Sequence, residues 1–155
     1  MVSQMQAVTD PEDPFDLSRF TSAQEGVYDS ALAELRSGRK RSHWMWFVFP
    51  QIHGLGNSAT AVCYAIKGRE EARRYLQHPI LGARLIECAE VLLAIQGRSA
   101  SEIFGYPDDL KLKSSMTLFA SIAAPGSVFV RVLEKYFHGE RDVRTLDMLE
   151  KSSPS

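Results

Sequence analysis

The eleven residues 41–51, RSHWMWFVFPQ, hold both tryptophans of the chain, two phenylalanines and a histidine between a basic run and a Pro-Gln pair. Trp46 and its neighbours could stack on a planar group such as a nucleobase, Gln51 could hydrogen-bond its edge, and Arg41 could pair with phosphate or carboxylate. His43 is the acid–base candidate, because histidine is the side chain whose charge changes near neutral pH. A purely architectural account competes with this one. Large aromatics fill helical cores, a basic run is often a solvated helix end, and one histidine often makes one structural hydrogen bond.

A second cluster lies in DDLKLKSSMTLF, residues 108–119. At 3.6 residues per turn, Leu112, Met116, Phe119 and Ala123 share one helix face. Ser114, Thr117 and Ser121 line another, with Lys113 at its border. Lys111, Lys113, Ser114 and Ser115 near a helix start suit an oxyanion, which also gains from the positive end of the helix dipole. The competing account is that the hydroxyls bond back to the preceding turn or permit a close helix crossing.

Stronger motifs are missing. The chain has no P-loop, nucleophile elbow or metal-ligand spacing, and its glycine-dense loop GLGNS matches no dinucleotide fingerprint. No metal site and no cofactor are expected. Cys63 and Cys88 read as reduced core thiols, His53 as loop surface, and His78 before Pro79 as a helix-end residue. Asp108 and Asp109 fit the positive end of a helix, or an orienting partner for His43.

The elements that must position these residues are helices. Asp16 is a good N-cap for a helix with Phe20, Ala23, Val27, Ala31 and Leu35 inward, stopped by Gly38. Ser42 can cap a short helix that Pro50 ends. Ser58 or Thr60 opens another that ends near Gly68, and REEARRYLQ forms the next. Pro79 leads a long apolar helix through Leu85, Ala89 and Leu92. Ser99 and Glu102 stand at capping-box spacing, and Ser127 opens SVFVRVLEKYF. Val143, Leu146 and Leu149 form the inward stripe of the last helix. No strand pattern is convincing, so the expectation is an all-α, single compact domain of about seven or eight helices with short loops.

A chain of 155 residues suits one domain. Its bounds are expected at residues 14–150, with polar tails at 1–13 and 151–155. A net charge of −1, with 45% hydrophobic and 24% charged residues, fits an ordinary soluble protein and argues against nucleic-acid binding by bulk charge. No stretch approaches the roughly 18–20 apolar residues of a membrane span, and no leader pattern opens the chain, so the expected location is the cytoplasm.

Several blocks in order, among them DPFDLSRF, ALAELRSGRKRSHWMWFVFPQ, GLGNS, EARRYLQHPILGARL and DDLKLKSSMTLF, resemble the bacterial family of domain of unknown function 1810. Some of its members carry the automatic label calpastatin. That label conflicts with the helical periodicity here, because a calpain inhibitor works as a disordered chain. The resemblance implies a small, mainly helical, cytoplasmic bacterial protein, and no activity. Two readings of function follow. One is a site for a phosphorylated or nucleotide-like ligand between SHWMWFVFPQ and LKSSMTLF, with an enzymatic version that uses His43. The other is a non-catalytic protein-interaction or regulatory module, with homo-oligomerisation left open.

Overall fold

The computed structural model of the chain describes residues 11–152; residues 1–10 and 153–155 of the expected tails lie outside them. Ten helices follow in order: α1 (Ser18–Gln24), α2 (Tyr28–Arg36), α3 (Met45–Val48), α4 (Ala59–Cys63), α5 (Arg69–Gln77), α6 (Leu81–Ala94), α7 (Ala100–Phe104), α8 (Asp108–Ile122), α9 (Val128–Phe137) and α10 (Val143–Ser152). The fold is all-α, with an isolated parallel bridge between Ile52 and Ile66.

Local chemistry explains most boundaries. Ser58, Ser99 and Ser127 cap α4, α7 and α9, and Ser99 with Glu102 completes a capping box. His78 turns its Nδ1 onto the Ile80 and Leu81 amides, 3.1 and 3.2 Å away, and so receives donors at the start of α6. The expected first helix is divided. Gly26 sits at φ 75° between α1 and α2, a conformation that glycine adopts without steric cost. Asp16 lies at φ 54° and is not the cap. The Asp13 carboxylate takes the Leu17 and Ser18 amides instead, at 2.7 and 3.0 Å. This break adds a helix, and the count among the described residues is ten, above the seven or eight expected.

Helix α8 is central. It packs against α5, α7, α9 and α10, while α6 packs on α2, α5 and α9. Its burial extends beyond the expected apolar face to Ser114, Ser115 and Thr117. A chain of rings, Phe20, Tyr75, Phe119 and Phe129, crosses the core with centroids 5.0, 5.4 and 5.7 Å apart. A second group joins Trp44, Phe49 and Phe104. Cys88 is buried, and burial pushes its thiol up to about 12. Cys63 is exposed at the end of α4, contrary to the expectation of a core thiol. In α10 the inward residues are Thr145 and Leu149, whereas Val143 is 67% exposed and Leu146 36%. The helix also runs to Ser152, into the stretch expected to be a tail.

Candidate functional site

Segment 39–51 takes its shape from one carboxylate. Glu34 Oε1 accepts from the Arg41 amide (2.8 Å), the Ser42 amide (3.0 Å) and the Trp44 indole N–H (2.8 Å). Its Oε2 accepts from the Ser42 hydroxyl. Partial burial alone would raise its pKa, but these bonds outweigh it and hold Glu34 at about 2. The Ser42 hydroxyl is therefore committed to Glu34, and α3 starts after Trp44 without a side-chain cap, which corrects the expected Ser42 cap. Lys40 is 7% exposed, pairs with Asp108 at 2.8 Å and lies over the Trp44 ring. Arg41 and His43 are left exposed on either side of Ser42.

The two tryptophans separate. Trp44 is fully buried. Trp46 is half-buried and lines a cavity of about 370 Å³. One wall is a single face of α8 and the turn before it: Pro107, Leu110, Lys111 and Ser114, at i, i+3, i+4 and i+7 spacing, with Lys113 beside them. Gln51, His53, Leu55 and Gly56 line the cavity as well, together with Val62 of α4, Tyr64 and Ala65. Asp142 and Arg144, at the start of α10, complete the boundary.

The Gln51–His53 side is held rigidly. Ile66 N–H donates to Gln51 O at 2.8 Å and His53 N–H to Ile66 O at 2.7 Å. Buried Ile52 lies between them, so Gln51 and His53 project to one side of the extended backbone. Arg19 pins the adjoining segment, donating to Cys63 O (2.7 Å), Ala65 O (2.9 Å) and Glu71 Oε2 (2.7 Å). Glu71 is itself buried and takes the Lys67 amide at 2.9 Å.

The cations of the cavity differ in how far they are compensated. Lys111 Nζ lies 4.0 Å from the Trp46 ring centroid and 3.2 Å from Asp108, so its charge is already engaged. Lys113 has a looser partner, Glu140 at 3.4 Å, whose side chain is 71% exposed. Arg144 is exposed and makes no ion pair among the described residues. The Asp142 carboxylate is occupied, since Oδ2 takes the Thr145 amide (3.0 Å) and the Ser114 hydroxyl (3.2 Å). The lining thus carries three cationic side chains against one engaged carboxylate.

The hydroxyl row divides in the same way. Thr117 donates to Lys113 O and accepts the Asp142 amide at 2.9 Å, and Ser121 donates to Thr117 O. These two bond back along α8, and Thr117 also seats α10. Ser114 lines the cavity, but its one proton is directed to Leu110 O and Asp142, so it offers a ligand an acceptor rather than a donor. Ser115 is fully buried, its hydroxyl has no hydrogen-bond partner, and it does not reach the cavity.

Of the residues selected from sequence, Trp46, Gln51, Lys111, Lys113 and Ser114 share this cavity; Arg41, His43 and Ser115 do not line it. His43 is turned out because Glu34 holds the neighbouring Trp44 indole inward. His53, Tyr64, Asp142 and Arg144 went unselected. Their only sequence signals were a histidine beside GLGN and a basic residue two positions after an acidic helix start. No cluster able to hold a metal ion is found among the described residues, and none of their helices is long and apolar enough to cross a membrane.

Comparison with known proteins gives the family. The model of a protein family of unknown function, DUF1810, matches residues 14–149. No curated protein matches the chain. The crystal structure at 1.38 Å of the conserved hypothetical protein Rv1873 from Mycobacterium tuberculosis is similar, with 58% identity and a TM-score of 0.87. The similarity covers 89% of this chain and 99% of that one. Spanning nearly all of the helical domain, the match shows that this chain belongs to the DUF1810 family.

Proposed function

We propose that the cavity binds a phosphorylated small molecule with one planar ring, of about mononucleotide size. The observation that carries this reading is the meeting of Trp46 and Gln51 with Lys111, Lys113 and Ser114 around one concave space. A volume of about 370 Å³ lies near the lower end of ligand pockets, which suits one ring and one phosphate better than a dinucleotide. The ring lies at the Trp46, Tyr64 and Gln51 end. The phosphate lies at Lys113 and Arg144, whose charges have the least internal compensation. Ser114 accepts a hydroxyl of the ligand. An enzymatic version of this reading draws on His53, which lines the cavity, in place of His43.

Calorimetric titration with AMP, adenosine and inorganic phosphate tests the reading. AMP is expected to bind more tightly than either fragment. Lys113→Ala and Arg144→Ala each remove a charge-assisted contact of about 1.5–3 kcal/mol, a loss of roughly tenfold or more in affinity. His43→Ala leaves binding unchanged. Failure of AMP and of other mononucleotides to bind, or equal binding by the Arg144→Ala protein, overturns the proposal.

A further inference from the structure

Two basic side chains of the lining, His53 and Arg144, make no hydrogen bond or ion pair among the described residues, whereas Lys111 and Lys113 each have a carboxylate partner. They come from distant parts of the chain, and one contact brings their segments together. A Cβ built on Gly54 would lie 2.5 Å from Met148 Sδ, so the Gly54 backbone and the Met148 side chain are closely packed. Met148 is four residues after Arg144 on α10 and shares its helix face, and helical side chains lean toward the preceding turn, here that of Arg144. His53, next to Gly54, thus enters the cavity beside the Arg144 face. Gln51 stands on the same side of the extended backbone, roughly 6.5 Å away at two residues' rise. With Gln51 at the ring, His53 is one step further on, toward the anion.

We propose that His53 is a third basic contact to the ligand's phosphate, with Lys113 and Arg144, and that its protonation tightens binding as pH falls through the neutral range. The inference rests on the reading of the cavity as a site for a ring and a phosphate. A phosphate beside the imidazole favours the imidazolium, and by linkage the imidazolium favours the phosphate. The other ionisable groups of the lining are Lys111 and Lys113 from α8, Asp142 and Arg144 at the start of α10, and Tyr64 after α4. Asp108 and Glu140 pair with the two lysines, and exposed Arg141 adjoins Asp142. Lysine, arginine and tyrosine titrate well above the neutral range and carboxylates well below it, so histidine is the residue type among them that changes charge there.

The phosphate of AMP itself changes charge near about pH 6, so the test uses adenosine 5′-sulfate, whose single negative charge is constant across the range. In calorimetric titrations at about pH 5.5 and about pH 8.5, the parent protein is expected to bind it about tenfold more tightly at the lower pH. His53→Gln keeps a hydrogen-bond donor that cannot titrate, and shows the weaker affinity at both pH values. His43→Ala, which changes an exposed histidine outside the cavity, keeps the parent's pH profile, and adenosine, which lacks the anion, shows no such dependence. A parent as insensitive to pH as His53→Gln, or a pH profile that survives in His53→Gln, overturns the inference. If AMP then still binds and requires Arg144, the cavity reading stands alone; if neither AMP nor the sulfate ester binds, both fall.

Discussion

The carboxylate of Glu34 decides which aromatic of the Trp-rich segment reaches a ligand. By gathering the Arg41 and Ser42 amides and the Trp44 indole, it fixes Trp44 in the core and leaves Trp46 at the cavity. Replacing it by glutamine should lower stability by about 1–3 kcal/mol, the range for weakened charged hydrogen bonds. The folded pKa of about 2 lies below the ordinary carboxyl value of 4.5. The ionised form is thus the one favoured by folding, and this stabilisation is complete above about pH 4.5 and lost as pH falls toward about 2. Denaturation midpoints of the two proteins should therefore differ at pH 7 and converge in that acidic window. The tryptophans should respond unequally as well. Trp44→Ala leaves a void in a closed core and should cost about 3–5 kcal/mol, well above Trp46→Ala, as urea unfolding would show. The sequence singles out Trp46 as the ligand-facing ring; what holds Trp44 inward is Glu34, ten positions upstream, which no local spacing reveals.

At the scale of elements, boundaries set by neighbours in sequence were legible and those set at a distance were not. The caps at Ser58, Ser99 and Ser127 are contacts within three residues; Ser99 and Ser127 were expected, and of Ser58 and Thr60 it is Ser58 that caps α4. The short helix α3, by contrast, begins where Glu34 releases the chain, and α10 begins where Thr117 and Ser114 of α8 receive Asp142. The inward stripe of α10 consequently keeps Leu149 but has Thr145 in place of Val143 and Leu146. The crossing of α5 and α6 is another long-range constraint. A Cβ on Gly82 would lie 1.9 Å from the Leu76 carbonyl oxygen, so backbone must move to admit it. Gly82→Ala should destabilise the protein by about 3 kcal/mol or more, toward the upper end of overpacking costs. A midpoint unchanged in chemical denaturation would mean that the two helices are not so closely locked.

For the whole molecule, the chain builds a helical core around α8 and uses one face of that helix as the wall of a cavity. The all-α class followed from helical periodicity in every segment; a meeting of the Trp46 and Lys111 segments was one of two readings, and their chemistry alone did not decide it. His53 was not expected there, because its position depends on the pairing of Ile52 with Ile66, which no local pattern encodes. Arg144 was missed for a similar reason: its helix is carried to the cavity by hydroxyls on α8. In the proposed complex a planar phosphorylated ligand sits against Trp46. Since the chain has two tryptophans and Trp44 is fully buried, intrinsic fluorescence on titration with AMP reads Trp46 most directly. Saturable quenching is expected, lost in Trp46→Phe and weakened in Arg144→Ala. Quenching that persists in Trp46→Phe, or a parent protein that does not respond to AMP, would contradict it.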